Sequence, residues 1–152
     1  MTARYSIGID LGTTHCVLSY LDLTDAAEDP SKEVLVSVLA IPQLSQPGLV
    51  VEKQQLPSFI YQAHESELNQ DDIALPWNAE QSVISGSIAR ALGSKTPIRL
   101  VSSAKSWLCH DGVDRREAFL PMGSPDEVRK ISPLDATVEY LEHLQQCQFH
   151  LP

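Results

Sequence analysis

The chain has 152 residues, 43% of them apolar and 20% charged, with a formal net charge of −9. That length holds one domain or part of a larger one, and the acidity argues against general nucleic-acid or anionic-membrane binding, which needs clustered cations. No apolar run reaches the ~18 residues of a membrane span; with no basic segment and apolar stretch ahead of Tyr5, a cytoplasmic protein is the expectation.

Taken in chain order, the first element is a hairpin. Tyr5, Ile7 and Ile9 alternate with polar or small residues into Asp10, a turn of Gly12, Thr13 and Thr14 follows, and Cys16, Leu18 and Tyr20 alternate on the way out. The tip then carries a carboxylate, two hydroxyls and free backbone N–H groups, a set that suits phosphate. Asp10 alone would repel a phosphate, so a hard cation such as Mg²⁺ between the two makes sense of it. The same residues are good turn formers, and an ordinary hairpin turn is the alternative.

Residues 22–32 read as an acidic surface loop. Val34 to Ile41 is apolar and β-branched, as in a strand buried on both faces, and 42–48 (PQLSQPG) as a turn-rich loop. Short strands are expected at 49–52 and 56–61. The polar stretch 64–80 reads as an exposed loop or insertion pinned by Trp77. Apolar positions 84, 88, 91 and 92 followed by Gly93 predict a short helix stopped by that glycine, and 100, 101, 104, 107 and 108 predict a second helical face. After a loop over 109–123, Ser132, Pro133 and Asp135 supply a cap, a first-turn proline and an acid for a final helix. Leu134, Val138, Leu141, Leu144 and Cys147 are its expected buried face, with Glu139, Glu142 and His143 toward water. Cys16, Cys109 and Cys147 fit neither a disulfide framework nor a metal spacing and are expected as buried or half-buried thiols. The fold class is mixed α/β with an antiparallel start.

Four segments resemble a known family. Ile7-Gly8-Ile9-Asp10-Leu11-Gly12-Thr13-Thr14 is similar to the first phosphate motif of the actin-like ATPase superfamily, in the form typical of the seventy-kilodalton heat-shock chaperones (DnaK-like proteins). Leu56-Pro57-Ser58-Phe59-Ile60, Gly86-x-x-Ala89-Arg90 and Ala104-Lys105-Ser106-Trp107-Leu108 resemble three later chaperone segments, in the family's order and with similar gaps.

The resemblance implies an RNase-H-like α/β lobe over 1–152 with a smaller inserted α+β subdomain at about 40–115. It also implies ATP/ADP as ligand, with Mg²⁺ held by Asp10 through water. Gly12, Thr13, Thr14 and His15 would cradle the β- and γ-phosphates, and Asp10 and Arg90 would take the catalytic positions. Arg90 stands where the family usually has a lysine that reaches the γ-phosphate and the attacking water. A guanidinium binds phosphate bidentately but is larger and planar, so phosphate contact carries over more readily than the hydrolytic role; an ordinary surface arginine is the alternative. His15 is read as a bystander at the hairpin exit rather than a general base, and Lys105 and Trp107 as structural.

The family's second phosphate loop (Asp-x-Gly-Gly-Gly-Thr), the strand following the helix at 132–147 and the client-binding β-domain have no counterpart here. The expectation is the first part of a chaperone ATPase, inactive alone, whose longer parent would act on unfolded clients with co-chaperones. The alternatives are a sugar or acid kinase of the same superfamily, and a non-catalytic actin-like interaction module.

Overall fold

The first hairpin sets the frame. The computed structural model describes residues 3–24 and 35–147, and within it β1 (Tyr5–Leu11) pairs antiparallel with β2 (His15–Asp22) from Tyr5↔Asp22 to Leu11↔Cys16. The other edge of β2 is shared. Its outer part takes the two-residue β3 (Ser37–Val38), and His15–Cys16 take β6 (Leu56–Pro57). β1 ends the sheet, with Ile7 and Ile9 39% and 49% exposed, so its pattern builds an open edge rather than a buried strand.

Two further small sheets follow. β4 (Ile41–Gln46) and β5 (Leu49–Lys53) form a hairpin with a register irregularity between Leu44 and Gln46. β7 (Phe59–Tyr61) lies between β8 (Ile84–Ser85) and β9 (Leu100–Ser102), antiparallel to both. Three helices are described: α1 (Gln70–Ile73), α2 (Ser87–Lys95) and α3 (Pro133–Cys147). The chain is a mixed α/β protein built on small antiparallel sheets.

Burial divides into two groups. In the larger, Tyr140, Leu144 and Cys147 of α3 pack on Cys16 and Leu18 of β2, with Leu56, Ile60 and Val101. In the smaller, Ile88 and Ala89 of α2 pack on Leu44, Tyr61, Leu75 and Ile84.

Several expectations need correction. Residues 42–46 are not loop but most of strand β4: Pro42, Gln43 and Leu44 are buried and paired with Glu52, Val51 and Val50. Of the strand expected over 34–41, among the described residues only Ser37–Val38 form one before β4 begins, and Leu35 and Val36 are 76% and 68% exposed. The strand expected at 56–61 is split at Ser58, whose N–H turns to the Thr14 carbonyl. Gly93 does not stop α2 but lies buried inside it, and the helix starts only at Ser87.

The helical face expected at 100–108 is a strand and then a 3₁₀ turn (Ala104–Trp107), separated by Ser103 at φ +54°. Val101 and Ala104 are buried from two different elements, which produces a helix-like spacing without a helix.

The start of α3 is as expected. Ser132 Oγ donates to Asp135 Oδ2 at 2.7 Å and accepts from the Asp135 N–H at 3.0 Å. Its buried face is rotated, however, to Pro133, Ala136, Thr137, Tyr140, His143, Leu144 and Cys147, leaving Val138 and Leu141 exposed. His143 therefore does not face water. Cys109 is exposed, whereas Cys16 and Cys147 are buried. Trp77 pins its loop as expected, donating Nε1–H to Gln146 Oε1 at 2.7 Å and meeting the His143 ring edge-on. Most of the acidic 22–32 loop lies outside the described residues. No described helix is long and apolar enough to cross a membrane.

Candidate functional site

The tip of the first hairpin is held by three hydrogen bonds from two later segments. A Cβ on Gly12 would lie 2.1 Å from the His15 carbonyl oxygen, so no other residue closes this turn. Ser58 Oγ donates to the Gly12 carbonyl at 2.9 Å, and the Ser58 N–H donates to the Thr14 carbonyl at 2.8 Å. From 94 residues downstream, Lys105 Nζ donates to the Leu11 carbonyl. The Pro-Ser and Ala-Lys segments, 45 to 95 residues downstream, thus fasten the hairpin from β6–β7 and the 3₁₀ turn. With these carbonyls occupied by protein donors, the N–H groups and the hydroxyls of Thr13 and Thr14, both exposed, are what the tip presents.

Beneath the tip the surroundings are apolar. Cys16 Sγ lies 3.3 Å from Ser58 Oγ, and burial raises the thiol above its ordinary range. Cys16 is a packed neutral thiol here, not a nucleophile.

Beside the hairpin opens a cavity of about 710 Å³, within the range of small-molecule sites. His15 and Val17 of β2, the Lys53–Gln55 connection, and Ser87, Arg90, Ala91 and Ser94 of α2 form its walls. His15 and Arg90, 75 residues apart in sequence, line the same space. Asp10, Gly12, Thr13 and Thr14 do not line it; they stand on the adjoining hairpin. His15 Nδ1 lies 3.3 Å from Thr14 Oγ1, which ties the cavity wall to the tip.

Arg90 is placed by the start of α2. Gly86, at φ +78°, turns the chain from β8 into the helix, and a Cβ there would meet Leu56 Cδ1 at 2.7 Å. Ala89, fully buried, lets the helix lie close to the sheets. Arg90 then projects outward, its guanidinium 6.0 Å from the centre of the Phe59 ring. Two of the three fixed positions in Gly86-x-x-Ala89-Arg90 therefore serve packing.

Two residues of the site escaped the sequence. Lys53 lies on β5, and its Nζ donates to Ser87 Oγ at 3.0 Å. Gln43, fully buried, accepts at Oε1 from the Ser87 N–H (3.1 Å) and Ser87 Oγ (2.7 Å), and donates from Nε2 to the Gln55 carbonyl at 2.9 Å. A residue 44 positions upstream thus caps α2, a link that no local spacing announces.

Among the described residues no group of three or more His, Cys, Asp and Glu converges as a metal cage. Asp10, exposed on β1, is a single carboxylate. A single carboxylate of this kind could hold a Mg²⁺ only through that ion's waters.

No protein-family model matches the chain, and no curated protein matches it.

Proposed function

We propose that the chain is the N-terminal part of a DnaK-like chaperone ATPase domain: an RNase-H-like, actin-like ATPase lobe, with 40–115 as its smaller inserted subdomain. The observation that supports this most is convergence. The four segments carrying the resemblance, at 7–14, 56–60, 86–90 and 104–108, meet at one hairpin tip and its adjoining cavity.

In this reading the Gly12–Thr14 N–H groups and the Thr13 and Thr14 hydroxyls receive phosphate oxygens, while Arg90 and His15 meet the ligand from the cavity side. Asp10 holds Mg²⁺ through water, which supplies charge neutralisation to the phosphates. Phosphoryl transfer to water depends on positioning and on charge stabilisation from both sides of the phosphate. This chain furnishes one side, so the expected affinity for ATP is weak and the turnover negligible. In a longer parent, hydrolysis would be coupled to the binding of unfolded clients with co-chaperones.

The test is ATP turnover by such a parent. Asp10→Asn and Thr13→Ala are each expected to lower it on the order of tenfold or more, as loss of a single transition-state contact does. Parent-rate hydrolysis by both variants would overturn the assignment.

A further inference from the structure

We infer that Lys53 is a second anion-recognising residue of the cavity, and that with Arg90 it selects ligands carrying adjacent phosphates, a di- or triphosphate, over a monophosphate. The inference rests on the phosphate reading of this cavity and adds to it a residue and a specificity.

Charge is the first ground. The chain has 20 acidic residues against 11 basic ones, yet among the described residues no carboxylate lines the cavity, whereas Lys53 and Arg90 both do. Neither makes an ion pair among the described residues. Two cations lining one cavity of a protein this acidic, neither ion-paired among the described residues, attract an anion into that space.

Placement is the second. The Ser87 hydroxyl gives its proton to Gln43 Oε1, so toward Lys53 it acts as acceptor. One of the three ammonium donors is thereby used and two remain for a ligand. The lysine is held before any ligand arrives, which reduces the side-chain entropy lost on binding. Gln43 and Ser87 fix the ammonium at the start of α2, and Arg90, one turn further along, leans toward Phe59. The two cations thus have separate anchors, an arrangement suited to a chain of phosphates spanning both.

The experiment is a titration of the full chain with inorganic phosphate, tripolyphosphate, AMP, ATP and adenosine, read by amide shifts of residues 12–15 and 87–94. It is run on wild type, Lys53→Gln, Lys53→Arg and Ser87→Ala. Lys53 is exposed, so its variants keep the fold. Lys53→Gln is expected to weaken ATP and tripolyphosphate about two- to fivefold, the range for an exposed charge pair, and to leave AMP and phosphate unchanged. Lys53→Arg restores the affinity, and Ser87→Ala shows a smaller loss in the same direction. The same loss with tripolyphosphate as with ATP identifies the phosphate chain itself as the ligand, and a loss with ATP alone identifies a nucleotide; either supports the inference. If ATP shifts the hairpin and α2 amides equally in wild type and Lys53→Gln, the role of Lys53 is refuted while the phosphate site stands. If no phosphate compound moves these amides, the site and the inference fall together.

Discussion

Gln43 caps the helix that carries Arg90: its buried Oε1 receives both the N–H and the hydroxyl of Ser87, at 3.1 and 2.7 Å. A side chain on β4 therefore sets the start of α2, and with it the direction from which Arg90 enters the cavity. Replacing Gln43, itself fully buried, by Leu leaves the part-buried Ser87 N–H and the Gln55 carbonyl without their partner. The expected loss is about 1–3 kcal/mol of unfolding free energy, measurable by urea denaturation. An unchanged midpoint would show that water replaces the cap without cost.

Gly86 combines a positive φ with contact to Leu56. Gly86→Ala introduces backbone strain and a clash at 2.7 Å together, so a destabilisation of about 1–3 kcal/mol or more is expected. Because α2 would shift as a unit, the variant should also perturb amides across 87–94. A stability equal to wild type would mean that the turn into α2 adopts another conformation.

His143 ties stability to pH. It is 6% exposed, and its Nε2 donates to the Pro42 carbonyl at 2.9 Å, so this nitrogen carries the proton of the neutral ring. Burial pushes its pKa below the ordinary 6.5, only partly opposed by that hydrogen bond. Below about 6.5 the unfolded state binds the proton more readily than the folded one. Stability is therefore full above that pH and falls as pH drops toward the lowered folded value. Glu139, raised by burial and by Glu142, acts in the opposite sense. The histidine's share is the difference in pH slope between wild type and His143→Gln, whose amide can still donate to Pro42. Identical slopes would contradict the buried neutral ring.

Thiol accessibility checks the packing under the hairpin. Cys109 is exposed, Cys16 is buried beside Ser58, and burial pushes Cys147 up to about 12. A thiolate-trapping reagent at mild alkaline pH should consume one thiol of the native chain rapidly and the other two only after denaturation. Rapid reaction of a second thiol in the native state would show that α3 does not seal the core.

Much of this was open to sequence reasoning where the signal is local. The first hairpin is written in alternation and a glycine turn, and the start of α3 in Ser132 and Asp135, which bond to each other around Pro133. Pairing across distance hid the rest. Pro42 to Gln46 carries turn-forming residues, but pairing with β5 makes the segment a strand. The spacing at 100–108 mixes a strand residue with a 3₁₀ residue, both buried for different reasons. Along α3 the leucine stripe suggested one face, yet Tyr140 and His143 are buried because β2 and Pro42 lie on the neighbouring side. For the site, Asp10, Gly12, Thr13, Thr14, His15 and Arg90 could be picked out by resemblance. Lys53 and Gln43 could not, since their roles exist only once β4, β5 and α2 are assembled.

The most direct test of the proposed phosphate site is a titration of this chain with Mg-ATP to millimolar concentration, followed by amide NMR, on wild type and Arg90→Ala. The account predicts saturable shifts at residues 12–15 and 87–94, an affinity weaker than low micromolar, and a clear further loss in Arg90→Ala. Absence of shifts at both segments, or low-micromolar binding that ignores Arg90, would contradict it.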